Sequence, residues 1–223
     1  MLLKEKEEIE AWLKKYQIQN YILIEDEKYG YVVNAFSGVK LKNVNLESID
    51  VKFDVVNGFF DCSFNQIETL EGCPNKVLGD FYCNNNQLKT LKGGPNKVIG
   101  DFACSKNLLK TLKYSPKEVS GHFWCNNNYL KTIKGCPEII NGYFCCYDNE
   151  LEITGLKYLP ELVESNFIEI SINSGLNKLQ EIYSFKDLKE KVNEFFKIKE
   201  EKENLLNSIN EESLNKNKNT NKI

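Results

Sequence analysis

Between Val39 and Leu151 the apolar positions fall on a grid. In the stretch Gly-Asp-Phe-Tyr-Cys-Asn-Asn-Asn-Gln-Leu-Lys-Thr-Leu, residues 79–91, Phe81 and Cys83 alternate with Asp80, Tyr82 and Asn84. That is the period of a short strand with one buried face. Leu88 and Leu91 point back inward after a polar turn. The same order returns every 21 residues at Cys62, Cys83, Cys104, Cys125 and Cys146, with Phe60, Phe81, Phe102, Phe123 and Phe144 two residues before. A fixed period near 20 residues predicts a stacked solenoid in which each unit buries its apolar set only against its neighbours. Copies of one strand then form a parallel sheet with a spacing of about 4.8 Å.

The polar columns have mechanical jobs. Asn65, Asn86, Asn107, Asn128 and Asn149 turn the chain after each strand. Their amides can bond backbone groups that would otherwise be buried unpaired, and can bond one another along the stack. Gly58, Gly79, Gly100, Gly121 and Gly142 precede each strand, where a tight corner or a positive φ favours glycine. Pro74, Pro95, Pro116 and Pro137, with Gly72, Gly93 and Gly135 two residues earlier, mark an irregular return segment without a regular helix. Val56, Val77, Val98, Val119 and Ile140 close the core at the next corner.

The pattern degenerates at both ends, as capping units do. Residues 1–36 read as a helix-and-hairpin cap: Ile9, Trp12, Leu13 and Tyr16 share one helix face, and two short apolar strands, Tyr21 to Ile24 and Tyr31 to Val33, flank a turn near Gly30. This cap is expected to cover the open first strand. Residues 37–163 hold the repeats, five clear units over 58–163 and one degenerate unit before them. A capping strand region is expected over 164–183, an amphipathic helix capped by Ser184 over 184–210, and a disordered Asn/Lys-rich tail over 211–223.

Composition narrows the function classes. The 223 residues carry a net charge of −3 and no arginine, so no global field favours nucleic acid. No apolar run reaches the length of a membrane span, and the N-terminus lacks the basic-then-apolar layout of a signal peptide, which makes the cytoplasm the expected location. Eight cysteines are present, but five follow the repeat period and act as small buried hydrophobes; none forms a C-x-x-C pair. Alternation places Cys145 outward, open to reaction, although nothing adjacent in sequence depresses its pKa.

Three outward columns define the sheet face. They are Phe59, Asp80, Asp101, His122, Tyr143; then Asp61, Tyr82, Ala103, Trp124, Cys145; then Ser63, Asn84, Ser105, Asn126, Tyr147. Tyr82, Trp124, Tyr143, Tyr147 and His122 are the expected anchors for a protein partner, with Asp80 and Asp101 setting charge complementarity. A second pattern stacks Lys89, Lys110 and Lys131 beside Lys92, Lys113 and Lys134, a stripe that could meet a polyanion or simply keep the surface solvated. His122 is the single histidine, and no catalytic or metal-ligating set stands out around it.

The units Gly-Asp-Phe-Tyr-Cys-Asn-Asn-Asn-Gln-Leu-Lys-Thr-Leu-Lys-Gly-Gly-Pro and Gly-His-Phe-Trp-Cys-Asn-Asn-Asn-Tyr-Leu-Lys-Thr-Ile-Lys-Gly-Cys-Pro resemble the leucine-rich-repeat proteins of tailed bacteriophages and some bacteria, with Phe and Cys at two leucine positions. The resemblance covers about residues 8–165 and implies an α+β repeat protein: a short curved leucine-rich-repeat solenoid with one parallel sheet, an N-terminal helix-hairpin cap and a C-terminal helix. It supplies no catalytic residue. The expected function is a non-enzymatic, cofactor-free, monomeric scaffold for a partner protein, a host factor if the chain is phage-encoded. A structural role in a particle or filament, and polyanion or nucleic-acid binding through the lysines, remain as alternatives.

Overall fold

The computed structural model describes the backbone of residues 2–173 and 178–220 and the side chains of residues 2–170 and 184–208. The chain opens with helix α1 (Lys6–Lys15), the hairpin β1 (Tyr21–Asp26) and β2 (Gly30–Ala35), then β3 (Val39–Lys40), β4 (Phe53–Val56), β5 (Phe60–Asp61), β6 (Lys76–Val77), β7 (Phe81–Tyr82) and β8 (Lys97–Val98). It continues through β9 (Phe102–Ala103), β10 (Glu118–Val119), β11 (Phe123–Trp124), β12 (Ile139–Ile140), β13 (Phe144–Cys145), a 3-10 turn over Ile153–Tyr158, β14 (Leu162–Val163), β15 (Phe167–Asn173), β16 (Lys178–Ser184) and helix α2 (Phe185–Thr220).

These strands build a solenoid with two walls. The Phe-x-Cys segments stack as the sheet β16-β15-β13-β11-β9-β7-β5-β3, and the return segments stack as β1-β2-β4-β6-β8-β10-β12-β14. Within the repeats every pairing is parallel and the register is Phe on Phe, as in Phe60↔Phe81, Phe81↔Phe102 and Phe123↔Phe144. The return segment thus adds a second sheet to the one predicted. Its strands are two residues long, too short to show alternation, yet identical backbones one turn apart satisfy each other's polar groups, as at Lys76↔Lys97.

The inner rows are fully enclosed. Phe60, Phe81, Phe123 and Phe144, the five repeat cysteines, and Ile67, Leu88, Leu109, Leu130 and Leu151 have no exposure. The phenylalanine rings form a continuous spine with centroid spacings of 5.3–5.8 Å, extended through Phe53 to Trp12 of α1.

The asparagine row ties neighbouring turns to each other's backbone rather than side chain to side chain. Asn128 Nδ2 donates to Cys125 O and Cys104 O, both at 3.1 Å, while its Oδ1 accepts the Leu109 N–H at 3.0 Å. Asn86, Asn107 and Asn149 repeat this pattern. The glycine row serves close approach: a Cβ on Gly121 would stand 2.7 Å from backbone atoms of Gly100 and Asp101. Positive φ falls elsewhere, in the column Phe64, Asn85, Lys106, Asn127 and Asp148 at 50–57° and at Gly72, Gly93, Tyr114 and Gly135.

The caps close opposite walls. The β1–β2 hairpin extends the return-side sheet through β2·β4, so it does not cover β3, which stays at the edge of the Phe sheet. Only three residues separate Ala35 from Val39, so β2 and β3 occupy successive sides of one turn. At the far end β15 joins the Phe sheet with Ile168 beside Phe144, 24 residues on, and β16 pairs antiparallel with it. The expected tail over 211–223 falls in α2 as far as Thr220, and residues 221–223 lie outside the described residues. By its contacts the chain divides into two units, residues 1–185 and 186–223; the second holds α2 from Lys186 to Thr220, with Leu205 and Leu206 exposed.

Candidate protein-binding face

The face of the Phe sheet is shaped by what its outward side chains do for the backbone. In the parallel ladder the Asp101 carbonyl accepts from Phe81 N–H, and Asp101 N–H needs another acceptor. The side chain one turn earlier supplies it. Asp80 Oδ1 accepts Asp101 N–H at 2.8 Å, Asp101 Oδ1 accepts His122 N–H at 2.7 Å, and His122 Nδ1 accepts Tyr143 N–H at 2.8 Å. The imidazole therefore carries its proton on Nε2. The Asp101 carboxylate and the His122 imidazole each accept a backbone N–H and are not bonded to each other, so they lack the carboxylate–imidazole bond of a general-base dyad. Asp80 is committed at both oxygens, the second accepting from Tyr82 Oη at 2.9 Å. Burial, then that bond to Asp80, pushes the Tyr82 phenol up, so it stays neutral.

At the C-terminal end of this face the rings meet. His122 lies 5.1 Å from Trp124 and 4.6 Å from Tyr143, nearly parallel to the latter at 25°. Tyr143 lies 4.8 Å from Phe167. Trp124, His122, Tyr143 and Phe167 thus form one row across three adjacent strands, with Tyr143 45% exposed and the others part-exposed. Phe167 was not among the sequence-derived anchors. It sits off the 21-residue grid, but the alternation around inward Ile168 and Ile170 marks it as outward.

Two predicted anchors stand apart from the row. Tyr82 lies two turns from Trp124, about 10 Å at sheet spacing, with Ala103 between them. Tyr147 occupies the next column; burial first, then Glu169, pushes its phenol up. Cys145 points outward but is only 6% exposed, because it lies between Trp124 and Glu169 on the neighbouring strands. Burial and then Glu169 push its thiol up to about 11, so the outward cysteine that alternation predicts is a covered and protonated one.

The six lysines all lie exposed on the loop side. Lys89, Lys110 and Lys131 line an open groove of about 770 Å³ with Leu108, Tyr129 and Glu150. Lys92, Lys113 and Lys134 form a separate row held by a repeated turn, each N–H bonded to the Thr hydroxyl two residues before at 3.1–3.2 Å. Lys89 is paired with Glu68 at 2.9 Å. The groove's apolar floor comes from Leu108 and Tyr129, a column the sequence reading passed over.

Among the described residues no group of three or more His, Cys, Asp or Glu side chains is placed to hold a metal ion, and no helix is long and apolar enough to cross a membrane. No family model, no curated protein and no solved structure matches the chain.

Proposed function

We propose that this protein is a non-enzymatic binding scaffold that holds one partner protein against the aromatic end of the Phe sheet. The observation that carries the reading is the ring row Trp124–His122–Tyr143–Phe167. Part-exposed aromatics with polar tips are what binding hot spots favour, since they desolvate large area yet keep a hydrogen-bonding end. These rings sit on a rigid sheet and are stacked on each other, so little side-chain freedom remains to be lost on binding. Tyr82 and Tyr147 extend the face, and Asp80 and Asp101 give it a negative edge. The repeats resemble leucine-rich repeats of proteins from tailed bacteriophages and some bacteria; if the chain is phage-encoded, the partner is a host factor met in the cytoplasm, where eight unpaired thiols stay reduced.

The test uses wild type and Trp124→Ala/Tyr143→Ala as baits in lysate of the native host, after circular dichroism shows equal folding. A protein held by wild type and lost from the double variant supports the site. Equal retention by both removes the face from the reading. The groove lined by Lys89, Lys110 and Lys131 favours one rival, polyanion binding. Its signature is retention that falls steeply with salt and with Lys110→Glu/Lys131→Glu.

A further inference from the structure

We infer that two copies of this chain pair through β1, edge to edge and antiparallel, about a twofold axis at Leu23. The inference is independent of the aromatic face, which lies on the other sheet.

β1 is an edge strand of the return-side sheet and is six residues long. Two other edges are protected: β3 and β14 are two residues each, with exposed Lys40 in one and Glu161 and Glu164 flanking the other. β1 has no Pro and no Lys, and its pairing with β2 has no bulge. Its exposed side chains include Ile22 at 46% and Ile24 at 41%, both on one face.

Backbone parity fixes how this edge can be filled. Phe36 N–H donates to Asn20 O at 2.7 Å, so Asn20·Phe36 is a hydrogen-bonded pair. Alternation then commits the N–H and C=O of Ile22 and Ile24 to β2 and turns those of Tyr21, Leu23 and Glu25 outward. A second β1 can dock only with odd residues facing odd residues, which forbids a one-residue slip. The register that pairs all three outward-facing residues of the strand sets Leu23 opposite Leu23 of the second copy and Tyr21 opposite Glu25. Ile22 then faces Ile24 of the second copy, twice, at non-hydrogen-bonded sites where side chains approach most closely.

Charge selects the same arrangement. Glu25 and Asp26 end the strand, and in this register they meet uncharged Tyr21 and Asn20 of the other copy. A parallel pairing would stack acid on acid. The contact is one short strand pair, below the roughly 1,200 Å² of a stable interface, so it is a reversible association that fills at high protein concentration.

Sedimentation velocity on the full chain from micromolar to millimolar concentration tests this, together with a crosslink. The expected result is a weight-average mass that rises towards the dimer and stays monomeric in Ile22→Lys/Ile24→Lys. Separately, Ile22→Cys and Ile24→Cys proteins are mixed in a glutathione redox buffer. Paired Cα atoms about 4.5 Å apart lie within disulfide reach. The mixture should therefore crosslink at least tenfold more than either variant alone or wild type. A concentration-independent monomer mass without the mixed crosslink overturns the inference. So does crosslinking of Ile22→Cys with itself, which reports another register, or self-association that persists in the double-lysine variant.

Discussion

Removing one asparagine from the ladder should destabilise the solenoid by an amount its hydrogen bonds predict. In Asn128→Ala four bonds disappear: two donated to Cys104 O and Cys125 O, a long one donated to Asn126 O at 3.4 Å, and one accepted from Leu109 N–H. The two carbonyls each keep a donor, since Asn107 also reaches Cys104 O and Asn149 also reaches Cys125 O, both at 3.1 Å. The Leu109 N–H loses its acceptor inside a buried row. An orphaned buried N–H costs about 1–3 kcal/mol and each lost bond about 0.5–1.5 kcal/mol, so the expected loss is roughly 4 kcal/mol. That is a large part of the ~5–15 kcal/mol that holds a domain folded, and for a chain of this size it lowers Tm by roughly 8–16 °C. Asn149→Ala should cost more. Asn149 is 1% exposed, less than Asn128 at 6%, so the Leu130 N–H that loses its acceptor is the more deeply enclosed one.

Urea titration followed by circular dichroism measures these losses, with exposed Gln87→Ala as the reference, expected within about 0.5 kcal/mol of wild type. Asn128→Asp separates the two halves of the amide. It retains an acceptor for Leu109 N–H but turns a carboxylate oxygen towards the two carbonyls. Its folded pKa therefore rises above the unfolded value near 4. Its stability is present below that value and lost as pH rises. A cost for Asn128→Ala no larger than that of Gln87→Ala would refute the reasoning, because water would then be replacing the amide in the row.

Alkali should unfold the protein early. Burial pushes the thiols of Cys83, Cys104, Cys125 and Cys146 up, and hydrogen bonding with Cys73 followed by burial does so for Cys62. Stability is full below the unfolded thiol pKa of about 8.5 and falls above it, by about 1.4 kcal/mol per pH unit per thiol or roughly 7 kcal/mol for the five; urea midpoints flat from pH 7.5 to 10 would contradict this. Lys106 holds φ +53° in a column otherwise rich in Asn, so Lys106→Asn should gain about 0.5–1 kcal/mol, and an unchanged urea midpoint would show no strain there. Gly121→Ala should lose more than about 3 kcal/mol or fail to fold, against the usual small gain for Gly→Ala, because the added Cβ meets backbone of the preceding turn; a thermal melt decides.

Much of the fold was legible because the repeat states each physical requirement several times. Phe81, Cys83, Leu88 and Leu91 recur in fixed phase, and a phase kept over five turns leaves one way to bury them. The asparagine row was legible for the same reason, down to its bonding of backbone groups. The return-side sheet was hidden because Lys76–Val77 and its copies are too short for alternation to register. The glycine row was placed correctly but for a different cause: Gly100 and Gly121 sit where one turn's backbone crowds the next, a property of the stack that no single unit displays.

The candidate site was less legible, because outward in a strand does not mean available. Asp80, Asp101 and His122 share a column with Tyr143, yet three of the four spend an acceptor atom on the next turn's N–H. Cys145 is outward and covered. What is left for a partner is the set the backbone does not use: the rings of Trp124, Tyr143 and Phe167 and the Nε2 edge of His122. This gives His122 two separable roles. His122→Asn keeps a side chain that can accept the Tyr143 N–H but removes the ring between Trp124 and Tyr143, so it should weaken partner binding while preserving Tm. His122→Ala should lower both. Equal melting temperatures in the two variants would show that the imidazole is not the acceptor that joins these turns, and His122 would then belong to the face alone.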